Sequence, residues 1–533
     1  MKPRLLLVAV AFAACRADAP AKVDVTTPTS TDAGREAGSD ARSDAGPDVV
    51  SSLGAPPPGG VLVHLFEWRW TDVAKECEAT LGPAGFAGVQ ISPPSEHAVL
   101  PGAPWWERYQ TVGYSLARSR SGTGEDFADM VRRCAAVGVA IYADTVINHM
   151  TAQARGTGSN GTAFTKYSYP GLYAAADFHS PPCTIADADY QNAADRVRRC
   201  ELVGLADLDT SSEHVRDAIA GYFSSLLALG VSGFRVDAAK HVAPADLDAI
   251  LRRVRAPAGA PRPYYFFEVI DHGGEAIAAA DYLTTGAGAA DVDITEFKYS
   301  AVSDAFLGAG GASLAGLRTL GQTDSGLLPS DRAVVFVDNH DTERASSLYY
   351  DDGVTYDLAT AFMLTWPYGT PSILSGYAFH RATGAGRDVG PPSDAGGATL
   401  PVYAAGANAP SCADAAAKSG WLCEHRRPYV ARLVAFRKTT VAAPVTSWWD
   451  DGADAIAFAR GDRGFVAINN GPSVLHRTFA TGLAAGTYCD IFGGAPVADG
   501  CSGTRVDVDG HGAADVTLPP STAVVLQRGA QVQ

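Results

Sequence analysis

The sequence predicts an α/β fold followed by a separate all-β segment, on three observations. Eight short apolar runs rich in Val, Ile, Phe and Tyr recur along the middle of the chain, as strands buried on both faces do. Amphipathic stretches of helical spacing separate several of them, which makes the strands parallel neighbours in βαβ units. After about Lys438 the texture changes to short strands punctuated by Asp-Gly and Asn-Gly turns, the pattern of a β domain. Periodicity alone fits a closed (β/α)8 barrel and an open doubly wound sheet equally well.

The strand candidates are 61–66, 86–92, 139–147, 231–237, 264–270 and 332–338, with weaker ones at 292–297 and 371–376. Between the fourth strand and its predecessor, 214–229 places Val215, Ala218, Ile219, Tyr222, Phe223 and Leu226 on one helical stripe, and Gly230 stops it. The polar, Gly-rich interval 149–206 is too long for a loop and reads as an inserted subdomain. Strands at 455–460, 464–469 and 523–527 belong to the tail domain.

The first residues read as an address. Lys2 and Arg4 precede an apolar run at 5–14, the n- and h-regions of a signal peptide. Phe12-Ala13-Ala14-Cys15 resembles a bacterial lipoprotein cleavage site, with Phe12 where an aliphatic residue is usual. The alternative is secretory cleavage after Ala19, which Pro20 hinders. Either way export is expected, as a bacterial cell-surface lipoprotein or a secreted protein. Segment 16–60 has no aromatic residue and cannot bury enough apolar surface to order itself, so a disordered linker is expected, with folded structure from Val61.

Composition bounds the function. The chain has 533 residues, 47% apolar and 19% charged, with a net charge of −16, which disfavours a nucleic-acid partner. Beyond the N-terminus no apolar run reaches the ~18–20 residues of a membrane span. Nine cysteines leave eight once Cys15 is set aside, enough for four disulfides in an oxidising compartment, and no C-x-x-C pair suggests a zinc ribbon.

Four motifs carry acids toward the C-terminal ends of strand candidates: Asp144 in DTVINH, Asp237 in GFRVDAAKH, Glu268 in FFEVID and Asp341 in FVDNHD. Each alone reads equally as a helix N-cap or a loop ion pair. In a barrel, however, all strand C-termini open on one face, so four acids in this register converge. Paired carboxyls are the equipment of glycoside hydrolysis. Trp105, Trp106 and Tyr109 in PWWERYQ offer flat apolar faces for sugar rings, or ordinary core packing.

These motifs, with HLFEWRW, GVQISPP, EVIDHGGEAI and AGTYCD, resemble the α-amylase family, glycoside hydrolase family thirteen, closest to its animal and actinobacterial members. The resemblance runs from about Val61 to the C-terminus. It implies a (β/α)8 barrel (61–148 and 208–437), an inserted domain B (149–207) and a C-terminal Greek-key β domain (438–533). It implies an endo-acting hydrolase of α-1,4-glucosidic bonds in starch, glycogen and malto-oligosaccharides, working as a monomer. Another activity of the family, transglycosylation or debranching, and an inactive starch-binding surface protein are the alternatives.

By the same resemblance Asp237 is the nucleophile, Glu268 the acid and base, and Asp341 the group that orients sugar hydroxyls and stabilises the transition state. Arg235 would keep Asp237 ionised. Trp105, Trp106, Tyr109, Gln110, His149, Lys240, His241 and His340 would contact substrate. A calcium ion would take Asn148 and Asp207 by side chain and Arg198 and His241 by backbone carbonyl. Disulfides 77–134, 183–200, 412–423 and 489–501 are implied. Animal members hold chloride through an arginine, an asparagine and a basic residue; Arg235 and Asn339 match the first two. Ser372 stands at the third, with Arg381 and Arg387 too far along to replace it, so chloride is not expected to be required.

Overall fold

Burial decides where strands form: each apolar run in the barrel region is covered on both faces. In the computed structural model, which describes residues 53–287, 290–345, 348–379, 381, 388–413 and 419–532, eight strands pair in parallel. They are β1 (Leu62–Leu65), β2 (Gly88–Ile91), β3 (Ala140–Val146), β4 (Gly233–Asp237), β5 (Tyr264–Phe267), β6 (Asp291–Thr295), β7 (Ala333–Val335) and β8 (Thr370–Ser375). Each pairs with its sequence neighbours, and β1 with β8 closes the barrel, which excludes the open sheet. Both weak candidates are strands.

The two-residue period of a strand sorts these residues. Leu62, Ala140, Tyr142, Tyr264, Phe266 and Val334 meet in an apolar cluster of their own inside the barrel. The alternate residues Val63, Val89, Ile141, Phe234, Tyr265 and Phe267 join the main core under the helices. Two residues beyond Leu62, Gly88, Tyr142, Gly233 and Phe266 come His64, Gln90, Asp144, Arg235 and Glu268. The same inward rows therefore run from apolar at the strand starts to polar at their ends. Gly88 and Gly233 make room for the tyrosines: a Cβ at Gly88 would lie 2.4 Å from the Tyr142 ring, and one at Gly233 would lie 2.0 Å from the Tyr264 carbonyl oxygen.

Helix α1 (Gly124–Ala136) starts with a capping box between Thr123 and Asp126. The inserted segment carries α2 (Ala194–Arg199) and a hairpin of Arg155–Thr157 with Ala163–Thr165. Helix α3 (Glu213–Ala228) buries Val215, Ile219, Tyr222, Phe223 and Leu226, the expected stripe, and Gly230 follows at φ +93°. Helices α4 (Val354–Thr365) and α5 (Val430–Thr440) complete the set used below.

The longer described strands of the tail are β9 (Val445–Asp450), β10 (Ala455–Arg460), β11 (Gly464–Asn469), β12 (Leu475–Ala480), β13 (Gly486–Cys489), β14 (Arg505–Val508), β15 (Ala513–Leu518) and β16 (Thr522–Gln527). A sheet of order β9-β10-β11-β16 faces two ways. Ala457, Ala459, Phe465 and Leu526 pack on the second layer of the tail, with Phe479, Val516 and Leu518. Ile456, Phe458, Val466 and Val525 join the barrel's core instead.

Two buried arginines meet at the end of α4 beside that seam, and Arg460 crosses it. Arg437 of α5 donates to the carbonyls of Met363 (3.1 Å) and Trp366 (2.7 Å), and Arg460 of β10 to Thr365 (2.5 Å), Thr440 (2.8 Å) and Ala443 (3.1 Å). The last carbonyls of α4 have no intrahelical donors, and these guanidiniums satisfy them.

Disulfides Cys77–Cys134, Cys183–Cys200, Cys412–Cys423 and Cys489–Cys501 are the four implied pairs. No described helix is long and apolar enough to cross a membrane. The signal peptide, Cys15, most of the linker and Arg387 lie outside the described residues. The start of folded structure needs correction: Leu53 N donates to Ser232 Oγ (3.0 Å) and Tyr142 Oη to the Gly54 carbonyl (2.8 Å), so a strap before Val61 crosses the strand-start end of the barrel. Backbone donors and acceptors made these contacts, which composition does not reveal.

Candidate active site

Asp237 ends β4, Glu268 directly follows β5, Asp144 lies in β3 and Asp341 sits in the turn after β7. Arg235 gathers them. Its Nη1 lies 2.8 Å from both oxygens of Asp144 and 2.9 Å from Asp237 Oδ1, and its Nη2 is 2.5 Å from Glu268 Oε1. The other Glu268 oxygen accepts from Ala238 N at 2.9 Å, where Ala238 adopts φ +50° directly after Asp237. One guanidinium, using both terminal nitrogens, thus holds the two predicted reacting carboxyls together.

Arg235, expected to keep Asp237 ionised, pairs with it at 2.9 Å and works against the burial of that carboxyl. Burial pushes the Asp237 carboxyl well up; Arg235 opposes this, and Glu268, Asp144 and Asp341 add to it. Burial, then Glu268, pushes Asp341 up to about 7. Asp144 is raised by burial against Arg235. Asp144, Asp237 and Glu268 share the Arg235 cation, and Asp341 stands near them, so burial and like-charge repulsion together raise Asp144, Asp237 and Asp341.

The segment Trp105–Tyr109 forms a 3-10 turn at the rim. Tyr109 Oη donates to Asp144 Oδ2 (3.0 Å), and its ring stacks on His340, whose Nε2 is 3.5 Å from Asp341 Oδ2. Trp105 packs edge-on against Tyr109 and is only 5% exposed, so it is mostly core; Trp106 is half-buried, with its indole N–H on Asp388 (3.0 Å). Arg108, fully buried, anchors the turn on the Pro93 carbonyl (2.7 Å) and Ser121 Oγ (2.7 Å).

Several predicted sugar contacts also have protein partners. His149 Nε2 lies 3.2 Å from the Tyr109 carbonyl and its Nδ1 lies 3.4 Å from the Asn148 amide. Gln110 Oε1 accepts from Ala152 N (2.9 Å). Lys240 Nζ binds the Ile270 carbonyl and Glu275, over the Tyr190 ring, and His241 Nδ1 meets the Val197 carbonyl (2.9 Å). These side chains brace the walls of the cleft. His64, Gln90, Tyr190 and Glu275 were missed by sequence reasoning; only the inward strand register of the first two could have found them.

Two of the expected calcium donors, Asn148 and Asp207, come together where both ends of the insertion meet, and His241 lies against α2, which carries Arg198. His149 bridges Asp207, and Leu208 N donates to the Asn148 carbonyl (3.0 Å). Asp207 is buried and pushed up to about 6 by that burial, against His179 at 2.6 Å and the Asn148 side chain. Arg198 belongs to the last turn of α2, whose carbonyls lack intrahelical donors. A buried carboxylate short of positive charge, an amide and backbone carbonyls are a hard-oxygen set that fits the ion. Among the described residues no group of three or more His, Cys, Asp or Glu is arranged for a metal, and the expected set contains only one such donor side chain, Asp207.

Arg235, Asn339 and Ser372 line one cavity of about 20 Å³ with His64, Gln90 and His340. Burial and Arg235 push both histidines well down, so each is neutral there.

The α-amylase catalytic-domain model matches residues 92–262, and the α-amylase C-terminal all-β domain model matches 447–529. Mouse pancreatic α-amylase 2a5 is 41% identical over 484 residues, covering 86% of this chain and 92% of its own. An α-amylase-related protein of Drosophila melanogaster is 44% identical over 466 residues, covering 85% and 89%. Among solved structures, a variant of α-amylase I from Eisenia fetida in complex with maltohexaose superposes with a TM-score of 0.80 at 38% identity, covering 89% of this chain and 98% of that one.

Proposed function

The chain belongs to the α-amylase family, and on that premise we propose that its barrel face cuts internal α-1,4-glucosidic bonds of starch and glycogen with retention of configuration. The observation that carries this is Arg235, which holds Asp237 and Glu268 on its two terminal nitrogens. In this reading an Asp237 oxygen attacks the anomeric carbon as the glycosidic C–O bond breaks, and Glu268 gives its proton to the leaving oxygen. Glu268 then takes a proton from water, whose oxygen displaces Asp237 from the anomeric carbon. Asp341 orients the sugar hydroxyls, Tyr109 and His340 border the reacting ring, and Trp105 and Trp106 form the rim beside it. The neutral histidines suit hydrogen bonding to sugar without adding charge.

Calcium belongs to this reading, held by Asn148, Asp207, Arg198 and His241, where it would pin the insertion (149–207) to the barrel (61–148 and 208–437). So does independence from chloride. Among the described residues Arg235 is the one cation lining the Ser372 cavity, and it is already shared among three carboxyls, so a buried anion there would be under-compensated. Export, with Cys15 lipidated, is its remaining part; release of a Cys15→Ser variant from membranes supports it, and a soluble wild type starting beyond Cys15 rejects it.

The test is product analysis on soluble starch with early NMR of the reducing ends. Random internal cuts yielding α-anomers are expected. Cyclic or transfer products, cuts at branches, or initial β-anomers overturn the reading.

A further inference from the structure

Behind Asp341 three carboxyls are buried, with Arg344, Arg381 and Arg427 as the cations near them. Asp338, Glu343 and Glu424 are 3%, 2% and 4% exposed. Asp338 accepts from Tyr356 Oη (3.0 Å), Glu343 has Arg344 at 3.4 Å, and Glu424 Oε2 has no partner in its buried position.

The neighbouring cations are turned toward rings and other acids. Arg344 lies over Phe379 (4.1 Å) and Trp105 (5.0 Å) and donates to Tyr377 Oη (2.9 Å). Arg427 pairs with Asp357 and lies over Tyr356 (4.8 Å). Arg381 lies over Tyr349 (3.6 Å) and donates to the Glu343 backbone carbonyl (2.8 Å). Asp341, Asp352 and the phenols of Tyr350 and Tyr377 complete the surroundings.

Asp338 and Glu343 stand at the two feet of the turn that carries Asp341. Asn339 Oδ1 accepts from Asp341 N (3.0 Å) and Thr342 N (2.8 Å), and Glu343 N returns to the Asn339 carbonyl (2.9 Å). We propose that Glu343 is a positioning residue for Asp341: with Asp338 and Glu424 it keeps the feet of this turn buried only while these carboxyls hold protons, and their ionisation sets the alkaline limit of activity. The proposal rests on the reading of Asp341 as a transition-state group.

Burial pushes Glu343 up to about 8 against Arg344, and it pushes Asp338 well up, with Glu343 and Glu424 adding to the effect. Glu424 is raised by burial as well. An ionised Glu343 gains its hydration only by leaving the pocket, which moves the turn. The sign follows from linkage. The folded chain binds these protons more tightly than the unfolded one, so stability is full below the ordinary carboxylate range and is lost as pH rises through about 8.

The experiment is kcat against pH for the wild type, Glu343→Gln and Glu424→Gln, with melting temperature from pH 5 to 9. The alkaline midpoint should move up by about one pH unit in each variant, with kcat at the optimum within about twofold of wild type. The wild-type melting temperature should fall along the same limb, and less steeply in the variants. A folded variant with an unmoved midpoint overturns the proposal, as does a wild-type melting temperature that stays flat over this range. Asp341→Asn is the control. Near-normal turnover there removes the reading of Asp341 itself, whereas an inactive Asp341→Asn with unmoved midpoints removes only the role of Glu343.

Discussion

Tyr109 lies flat against His340, with ring centroids 5.2 Å apart and planes 8° from parallel, while its hydroxyl reaches Asp144. One residue of the rim turn thereby couples the ends of β3 and β7. Tyr109→Phe keeps the stack and deletes a hydrogen bond to a buried carboxylate, so a loss of about 1.5–3 kcal/mol is expected in denaturant unfolding. Tyr109→Ala should cost more. Unchanged stability in the Phe variant would show that Arg235 and Gln90 satisfy Asp144 without it.

Glu268→Gln should bind malto-oligosaccharides and lose turnover by about 10²–10⁴-fold. The amide cannot give a proton to the leaving oxygen. Near-normal hydrolysis by the purified variant would remove the acid from its place.

Chelation should lower the melting temperature before it alters the chemistry. A ligand bound only to the folded state stabilises by ~2.7 kcal/mol at a hundred times its dissociation constant. Verified metal-free protein that melts at an unchanged temperature would refute the assignment of Asn148 and Asp207.

Initial rates in chloride-free buffer at fixed ionic strength should match those with chloride. Ser372 brings a hydroxyl but no charge to the cavity that Arg235 and Asn339 line. Saturable activation of several fold would mean that another base serves in its place.

Arg460→Met should loosen the seam between barrel and tail. It would leave the carbonyls of Thr365 and Ala443 without donors, at about 1–3 kcal/mol for each buried group left unsatisfied, while Thr440 keeps the Ala443 N–H. Thermal melting should drop while the kcat of the folded enzyme stays near wild type.

The strands were legible because parallel strands are apolar on both faces, so even 371–376 could be read from composition. The acids were legible because they end such runs. The roles of Lys240, His149 and Gln110 were not. Their partners are Glu275, the Tyr109 carbonyl and Ala152 N, set by the packing of loops that have no period. Arg235 beside Asp237 suggested the ion pair that forms, while burial and three further carboxyls act on it only once the barrel closes.

The strap at Leu53 and Gly54 gives the molecule a front and a back. It fastens to Ser232, just ahead of β4, and to Tyr142, near the strand starts, so the upstream chain joins the body on the side away from the catalytic mouth. Whatever holds this protein by its N-terminus, a lipid or the bead of an affinity column, grips it from behind. A long polysaccharide then meets the cleft without competing for room with the anchor.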